Sequence, residues 1–130
     1  MAAVERKVRD LAQAANFAVL SVILSSGRPM THLMWVDADD DHVLINTEVH
    51  RAKFKAVERD PRVTVTIWDR SDPYSYAEVR GRVSEIVRGS EARDHIDALS
   101  RKYRGRDYDE STITSERVIL RILPEVQRLH

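Results

Sequence analysis

The chain contains no cysteine, and its 130 residues include only four glycines, four prolines, two tryptophans, four tyrosines and two phenylalanines. Without cysteine there can be no disulfide framework, thiolate nucleophile or sulfur-ligated metal site. With so few glycines there is no GxGxxG or GxxxxGK loop, so both common nucleotide fingerprints are absent. Charge of either sign is not in excess: 21 Lys+Arg face 21 Asp+Glu. That balance argues against nucleic acid as the main partner, since such binders concentrate basic charge on one face. The Arg80-Gly81-Arg82 and Arg104-Gly105-Arg106 triplets stand alone and add little to that account. No apolar run approaches the roughly 20 residues of a membrane span. Residues 1–15 also lack a signal-peptide core, so a cytoplasmic location is expected. The five histidines (His32, His42, His50, His95 and His130) show no metal-ligand spacing, and no nucleophile-elbow motif is present. His32 and His42 read as surface strand residues, and His95 as a solvated residue on the polar side of a helix.

What is present reads as one domain, residues 1–130, with strands in runs rather than alternating with helices. Val4, Val8, Leu11, Ala12 and Ala15 share a face at helical spacing. Residues 17–24 form an apolar run expected to be buried on both faces, and Ser25 to Pro29 make a turn. Further strands are predicted over 30–37 and 42–46, followed by a helix at 51–59 that Pro61 stops. Val63, Val65 and Ile67 alternate with polar neighbours, residues 69–73 read as a polar loop, and a long strand follows over 76–87. In that strand Gly81 marks a bulge or a close backbone approach. Ser90 is read as the cap of a helix with Ala92, Ile96, Leu99 and Tyr103 on its apolar stripe and Gly105 at its end. A strand over 117–123, ended by Pro124, completes six strands and three helices. The expected class is mainly β (α+β), a closed or partly closed antiparallel barrel with flanking helices.

Two stretches carry candidate chemistry. In Asn46-Thr47-Glu48-Val49-His50-Arg51-Ala52-Lys53-Phe54-Lys55, three cations crowd the start of a helix whose acids, Glu58 and Asp60, lie near its other end. This opposes the helix dipole. A bound anion resolves the conflict, phosphate above all; a solvated basic turn paired with distant acids is the alternative. Trp68, Tyr74 and Tyr76 cluster within nine residues, either to stack on a planar ligand or to cover a barrel mouth. Trp35 in the strand Leu33-Met34-Trp35-Val36 reads as a buried residue or as the wall of a flat-ring site.

The ordered set Phe17-Ala18-Val19-Leu20-Ser21, Gly27-Arg28-Pro29, Met34-Trp35-Val36-Asp37, Asn46-Thr47 to Arg51-Ala52-Lys53 and Arg59-Asp60-Pro61-Arg62-Val63 begins a pattern. It continues through Pro73-Tyr74-Ser75-Tyr76-Ala77-Glu78-Val79-Arg80-Gly81, Lys102-Tyr103 and Glu116-Arg117-Val118. Together these segments resemble the split β-barrel flavin and deazaflavin oxidoreductases, the superfamily of pyridoxamine 5′-phosphate oxidase, and within it the branch using coenzyme F420. The resemblance implies a six-stranded split barrel acting as a homodimer, with cofactor sites in the grooves between subunits. It implies that Arg51 and Lys53 hold the cofactor phosphate, and that Asn46, Thr47 and His50 line that turn. Met34, Trp35 and Val36 would run along the ring system, and Tyr74, Ser75 and Tyr76 would reach the site from the other subunit. Gln127-Arg128-Leu129-His130 departs from the Arg-x-His signature of pyridoxamine phosphate oxidase, so pyridoxamine phosphate is not the expected substrate. The implied activity is hydride transfer from reduced F420 to an enone, quinone or tetrapyrrole. FMN chemistry on the same fold and a non-catalytic cofactor carrier are the alternatives.

Overall fold

Alternation of more and less buried residues shapes several strands of this molecule, because strand side chains point to opposite faces in turn. The computed structural model describes residues 3–130. Helix α1 (Arg6–Gln13) precedes β1 (Phe17–Ile23), β2 (Pro29–Trp35), a two-residue β3 (Asp37–Ala38) and β4 (Val43–Glu48). Helix α2 (Ala52–Arg59), β5 (Arg62–Asp69), β6 (Asp72–Val87), α3 (Ser90–Arg104) and β7 (Arg117–Leu129) follow. The strands form a seven-stranded antiparallel sheet in the order β2-β1-β5-β6-β7-β4-β3. The sheet curls until its edge strand β2 comes back against β4. The seventh strand, β3, is the element that the sequence pattern does not announce.

Inside the curl lie Leu20, Ile45, Val65, Ile67, Val79, Leu120 and Ile122, all fully buried. Strand β1 buries alternate residues only: Ala18, Leu20 and Val22 are interior, while Phe17, Val19 and Ser21 are half-exposed on the outer face. The expectation of burial on both faces is corrected accordingly. Residues 25–27 close the β1–β2 hairpin, with Gly27 at φ +85° and the Leu24 N–H donating to the Arg28 carbonyl at 2.9 Å. That is the three-residue loop in which only glycine takes the left-handed position at no cost.

Three further boundaries differ from expectation. The β5–β6 turn is only Arg70-Ser71, so β6 starts at Asp72 and the polar loop shrinks to a hairpin. Strand β7 runs on through Pro124 because the register shifts between Arg80 and Gly81, and this bulge absorbs the missing proline N–H. Helix α3 is preceded by Gly89, and Ser90 makes no capping hydrogen bond. Gly105 ends α3 in the left-handed conformation, as expected.

Gly81 is a close approach as well as a bulge. A Cβ there would lie 2.1 Å from the Leu123 carbonyl oxygen, a backbone atom with nowhere to retreat. Gly81→Ala is therefore expected to lower unfolding free energy by about 3 kcal/mol, read from the urea midpoint. An unchanged midpoint would contradict the approach.

Candidate functional site

The gap left by the curl is the candidate site. Antiparallel pairs alternate between residues that exchange hydrogen bonds and residues that do not. The Leu24–Arg28 bond sets the phase, so Met30, His32 and Met34 bond to β1 while Thr31, Leu33 and Trp35 turn their N–H and C=O groups outward. Strand β2 is a sheet edge, and this open row borders a cleft of about 280 Å³. Leu33, Met34 and Trp35 form one wall, Asn46 and Thr47 of β4 the other, and Ile96, Leu99 and Arg104 of α3 line it too.

The row ends sharply at Val36, whose side chain is fully buried. Its N–H donates to the Tyr103 hydroxyl at 3.1 Å, and its carbonyl accepts from Lys102 Nζ at 2.6 Å. Lys102 also donates to the Ala12 carbonyl, and the Tyr103 hydroxyl to that of Asn16. Burial pushes the Tyr103 hydroxyl up to about 12, which keeps it a neutral donor. Val36 thus has no backbone group left for a ligand, and Leu33 and Trp35 carry that capacity instead. The Trp35 indole is stacked on Tyr103 with ring centroids 5.1 Å apart, and the Arg104 guanidinium covers its other face at 4.9 Å. Arg104, part of the triplet discounted from sequence, therefore stands at the cleft.

The floor is cationic. The chain turns after β4, with the Arg51 N–H donating to the Glu48 carbonyl, and α2 starts at Ala52 with no side chain capping it. Lys53 is only 7% exposed and lines the cleft with Arg51 and Arg117. Burial, with Arg51 and Arg117 close by, pushes the Lys53 ammonium below its usual range. Burial lowers Arg117 as well, and His32 is lowered by burial and by Lys53 and Arg51. Among the described residues, no carboxylate lies within salt-bridge distance of Arg51 or Lys53. Glu48 instead accepts from Thr114, lies 3.4 Å from Arg117 and sits 3.1 Å from His50 Nδ1. Burial would raise the Glu48 carboxyl, but the Thr114 N–H and the Arg117 charge outweigh it and hold it low.

The structure brings Met34, Trp35, Asn46, Thr47, Arg51 and Lys53 together. His50 is exposed beside them, its Nδ1 2.5 Å from Ser115 Oγ, where it ties the turn to the segment before β7. Tyr74, Ser75 and Tyr76 lie elsewhere on the chain. Tyr76 shares a cross-strand row with Trp68, Phe17 and Trp35. Three strand spacings therefore separate it from Trp35, about 14 Å. Its ring stacks on His130, and Tyr74 is 89% exposed. His95, read as solvated, is in fact nearly buried between Asp37 and Asn46. Arg117 and Tyr108 were missed because a single strand-start arginine and a loop tyrosine carry no periodic signal. Here the guanidinium lies 5.3 Å over the Tyr108 ring and donates from Nε to Asn46 Oδ1 at 2.9 Å.

The family model described as pyridoxamine 5′-phosphate oxidase matches residues 4–130. The chain belongs to this family. Many of its members are oxidoreductases, and its barrel holds flavin-type cofactors. Among solved structures the chain is similar to an F420 reductase, with TM-score 0.83 and 24% identity over 96% of this chain and 98% of that one. It is similar to a conserved hypothetical protein from Mycobacterium tuberculosis, with TM-score 0.73 and 25% identity over 96% and 82% of the two chains. General Stress Protein 26 from Bacillus anthracis aligns with TM-score 0.69 and 21% identity over 93% and 88%. No curated protein matches the sequence.

Two outcomes follow from the cationic floor. A buried ammonium without a counter-ion costs stability, so Lys53→Met is expected to raise the melting temperature of the ligand-free protein while abolishing stabilisation by added phosphate. A lower melting temperature with phosphate stabilisation intact would contradict this. Glu48 is held below its unfolded value, so its contribution is present above the ordinary carboxylate range and is lost as pH falls through the lowered folded value. Glu48→Gln should therefore unfold with a weaker acid dependence than the wild type, as followed by circular dichroism.

Proposed function

We propose that this chain is a reductase that binds coenzyme F420 in the cleft and passes a hydride from its reduced ring to a conjugated acceptor such as an enone, quinone or tetrapyrrole. The observation that carries the reading is Lys53, buried between Arg51 and Arg117 with no carboxylate to neutralise it, beside an unpaired strand edge. An anionic tail on a flat, hydrogen-bonding ring satisfies both features at once. When bound, the deazaflavin supplies the hydride chemistry, as redox cofactors generally do. Arg51, Lys53 and Arg117 would hold the phosphate by charge-assisted hydrogen bonds. Leu33 and Trp35 would orient the ring edge through their N–H and C=O groups. Met34, Ile96 and Leu99 would exclude water.

The cleft of one chain is at the small end of cofactor sites. A homodimer, in which a second copy completes the groove, is part of the proposal. The outer face of β2 supports it: Leu33 is 63% exposed next to the cleft. The partner's Tyr74, Ser75 and Tyr76 would close the site, and a tyrosine hydroxyl there is suited to protonate a product anion. FMN presents a similar phosphate and ring, so the two cofactors are separated by titration.

Fluorescence titration of the purified protein with F420 and with FMN tests the reading. F420 is expected to bind more tightly. In Lys53→Ala its affinity should fall about 10- to 150-fold, the worth of one charged hydrogen bond. Tight FMN retention without F420 binding would replace the cofactor. F420 binding without turnover on a broad panel of acceptors would make the protein a carrier. Unchanged binding in Lys53→Ala would remove the phosphate site.

A further inference from the structure

A buried polar chain runs from β3 to the cationic floor, and its hydrogen bonds can be oriented without ambiguity. Arg117 Nε can only donate, so the atom of Asn46 facing it at 2.9 Å is the acceptor Oδ1. The Ala92 carbonyl can only accept, so Asn46 Nδ2 faces it at 2.9 Å. The second Nδ2 hydrogen then points at His95 Nδ1, 3.1 Å away, which must be an unprotonated acceptor. The remaining proton of the imidazole sits on Nε2 and donates to Asp37 Oδ2 at 3.1 Å. The histidine side chain is 11% exposed, so water has little room to replace these partners.

Protonating His95 changes this geometry in one direction only. An Nδ1–H would face the Asn46 NH2, donor against donor. Relief requires the amide to turn, which gives up the Ala92 carbonyl and presents NH2 to Arg117. The guanidinium then has one acceptor left beside it, Glu48, already 3.4 Å away. The groups facing His95 are Asp37 from β3, Asn46 from β4 and, beyond the amide, Arg117 of β7 with Glu48. On its own helix Lys102 acts on Asp37.

We propose that His95 is a proton-sensing positioning residue for the anion site: neutral, it locks Asn46 so that Arg117 faces the cleft, and protonated, it lets Arg117 fold onto Glu48 and weakens anion binding. The inference rests on the reading of the cleft as an anion site. Its sign opposes simple electrostatics, in which added positive charge near the cleft strengthens anion binding.

The first measurement needs no variant and no ligand. Long-range ¹H–¹⁵N correlation of the imidazole in the free protein, at about pH 8, is expected to show the Nε2–H tautomer of His95. An Nδ1–H tautomer would overturn the relay. The second compares His95→Asn with the wild type, because the asparagine Oδ1 can take the Nδ1 position and does not titrate. Calorimetric affinities for inorganic phosphate and for FMN are expected to agree within about twofold at pH 8. By about pH 5.5 the wild type should be weaker by about three- to tenfold, the worth of one net hydrogen bond. The ratio between the two proteins cancels the titration of the probe and of every group the two proteins share. A wild type that binds as tightly as His95→Asn, or tighter, at acid pH would overturn the proposal. Absence of anion binding in both proteins at every pH would instead overturn the anion site itself, with the tautomer result standing apart.

Discussion

The architecture turns on a sheet that curls without closing. Backbone N–H and C=O groups away from water must find partners, and an unpaired strand edge is the costliest place to leave them. Here β2 bonds to β1 through alternate residues and turns the backbone of Thr31, Leu33 and Trp35 into the gap before β4. That gap cannot be filled with apolar side chains without orphaning the row, so it persists as a polar cleft beside a largely apolar interior. Tyr103 and Lys102 end the exposed row by taking both backbone groups of Val36. Helix α3 is therefore the element that decides how much of the edge stays open.

Charge is distributed to suit that opening. The chain as a whole is neutral, yet Arg51, Lys53 and Arg117 line one cleft, and among the described residues only Arg117 has a carboxylate, Glu48, within salt-bridge distance. Glu48 is shared among Arg117, His50, Thr114 and Ser115 and cannot neutralise three cations. Burial makes the imbalance matter, because a partly desolvated charge is screened far less than a surface one. Net charge averages this local excess away. Thus a neutral composition is compatible with a strongly cationic pocket a few residues across.

The strands were legible where one face alternates, as in β5 and most of β6, because period-two patterning is a local signal; β1 was legible as an apolar run, but its half-exposed outer face was not. Gly81 and Gly105 were legible because each performs a backbone task that other residues do poorly. The extension of β7 past Pro124 was not, since the bulge that tolerates the proline is defined only by the register against a different strand, β6. His95 illustrates the wider reason. On its helix it looks like a polar residue beside the apolar Ile96, and its partners Asp37 and Asn46 lie about fifty residues upstream on other elements. Arg117 and Arg104 were not read as cleft residues for the same reason, because a cleft between elements leaves no period in any one of them. The clustered cations after β4 were the exception: their conflict with the helix dipole is local, and it pointed to the floor of the cleft.

The choice of Asn46 shows how such a pocket keeps its charge. An arginine beside an empty acceptor position needs a hydrogen-bond partner to hold its direction. A carboxylate would supply one, but it would also cancel the positive charge that the cleft presents. Asn46 accepts from Nε without bringing charge, and its two N–H groups are spent on Ala92 and His95 rather than left unmet. The amide is close in size to an aspartate and opposite in consequence: it orients Arg117 without adding a second negative charge to that of Glu48. That arrangement works only while His95 Nδ1 remains an acceptor, which is what Asp37 secures by drawing the imidazole proton to Nε2.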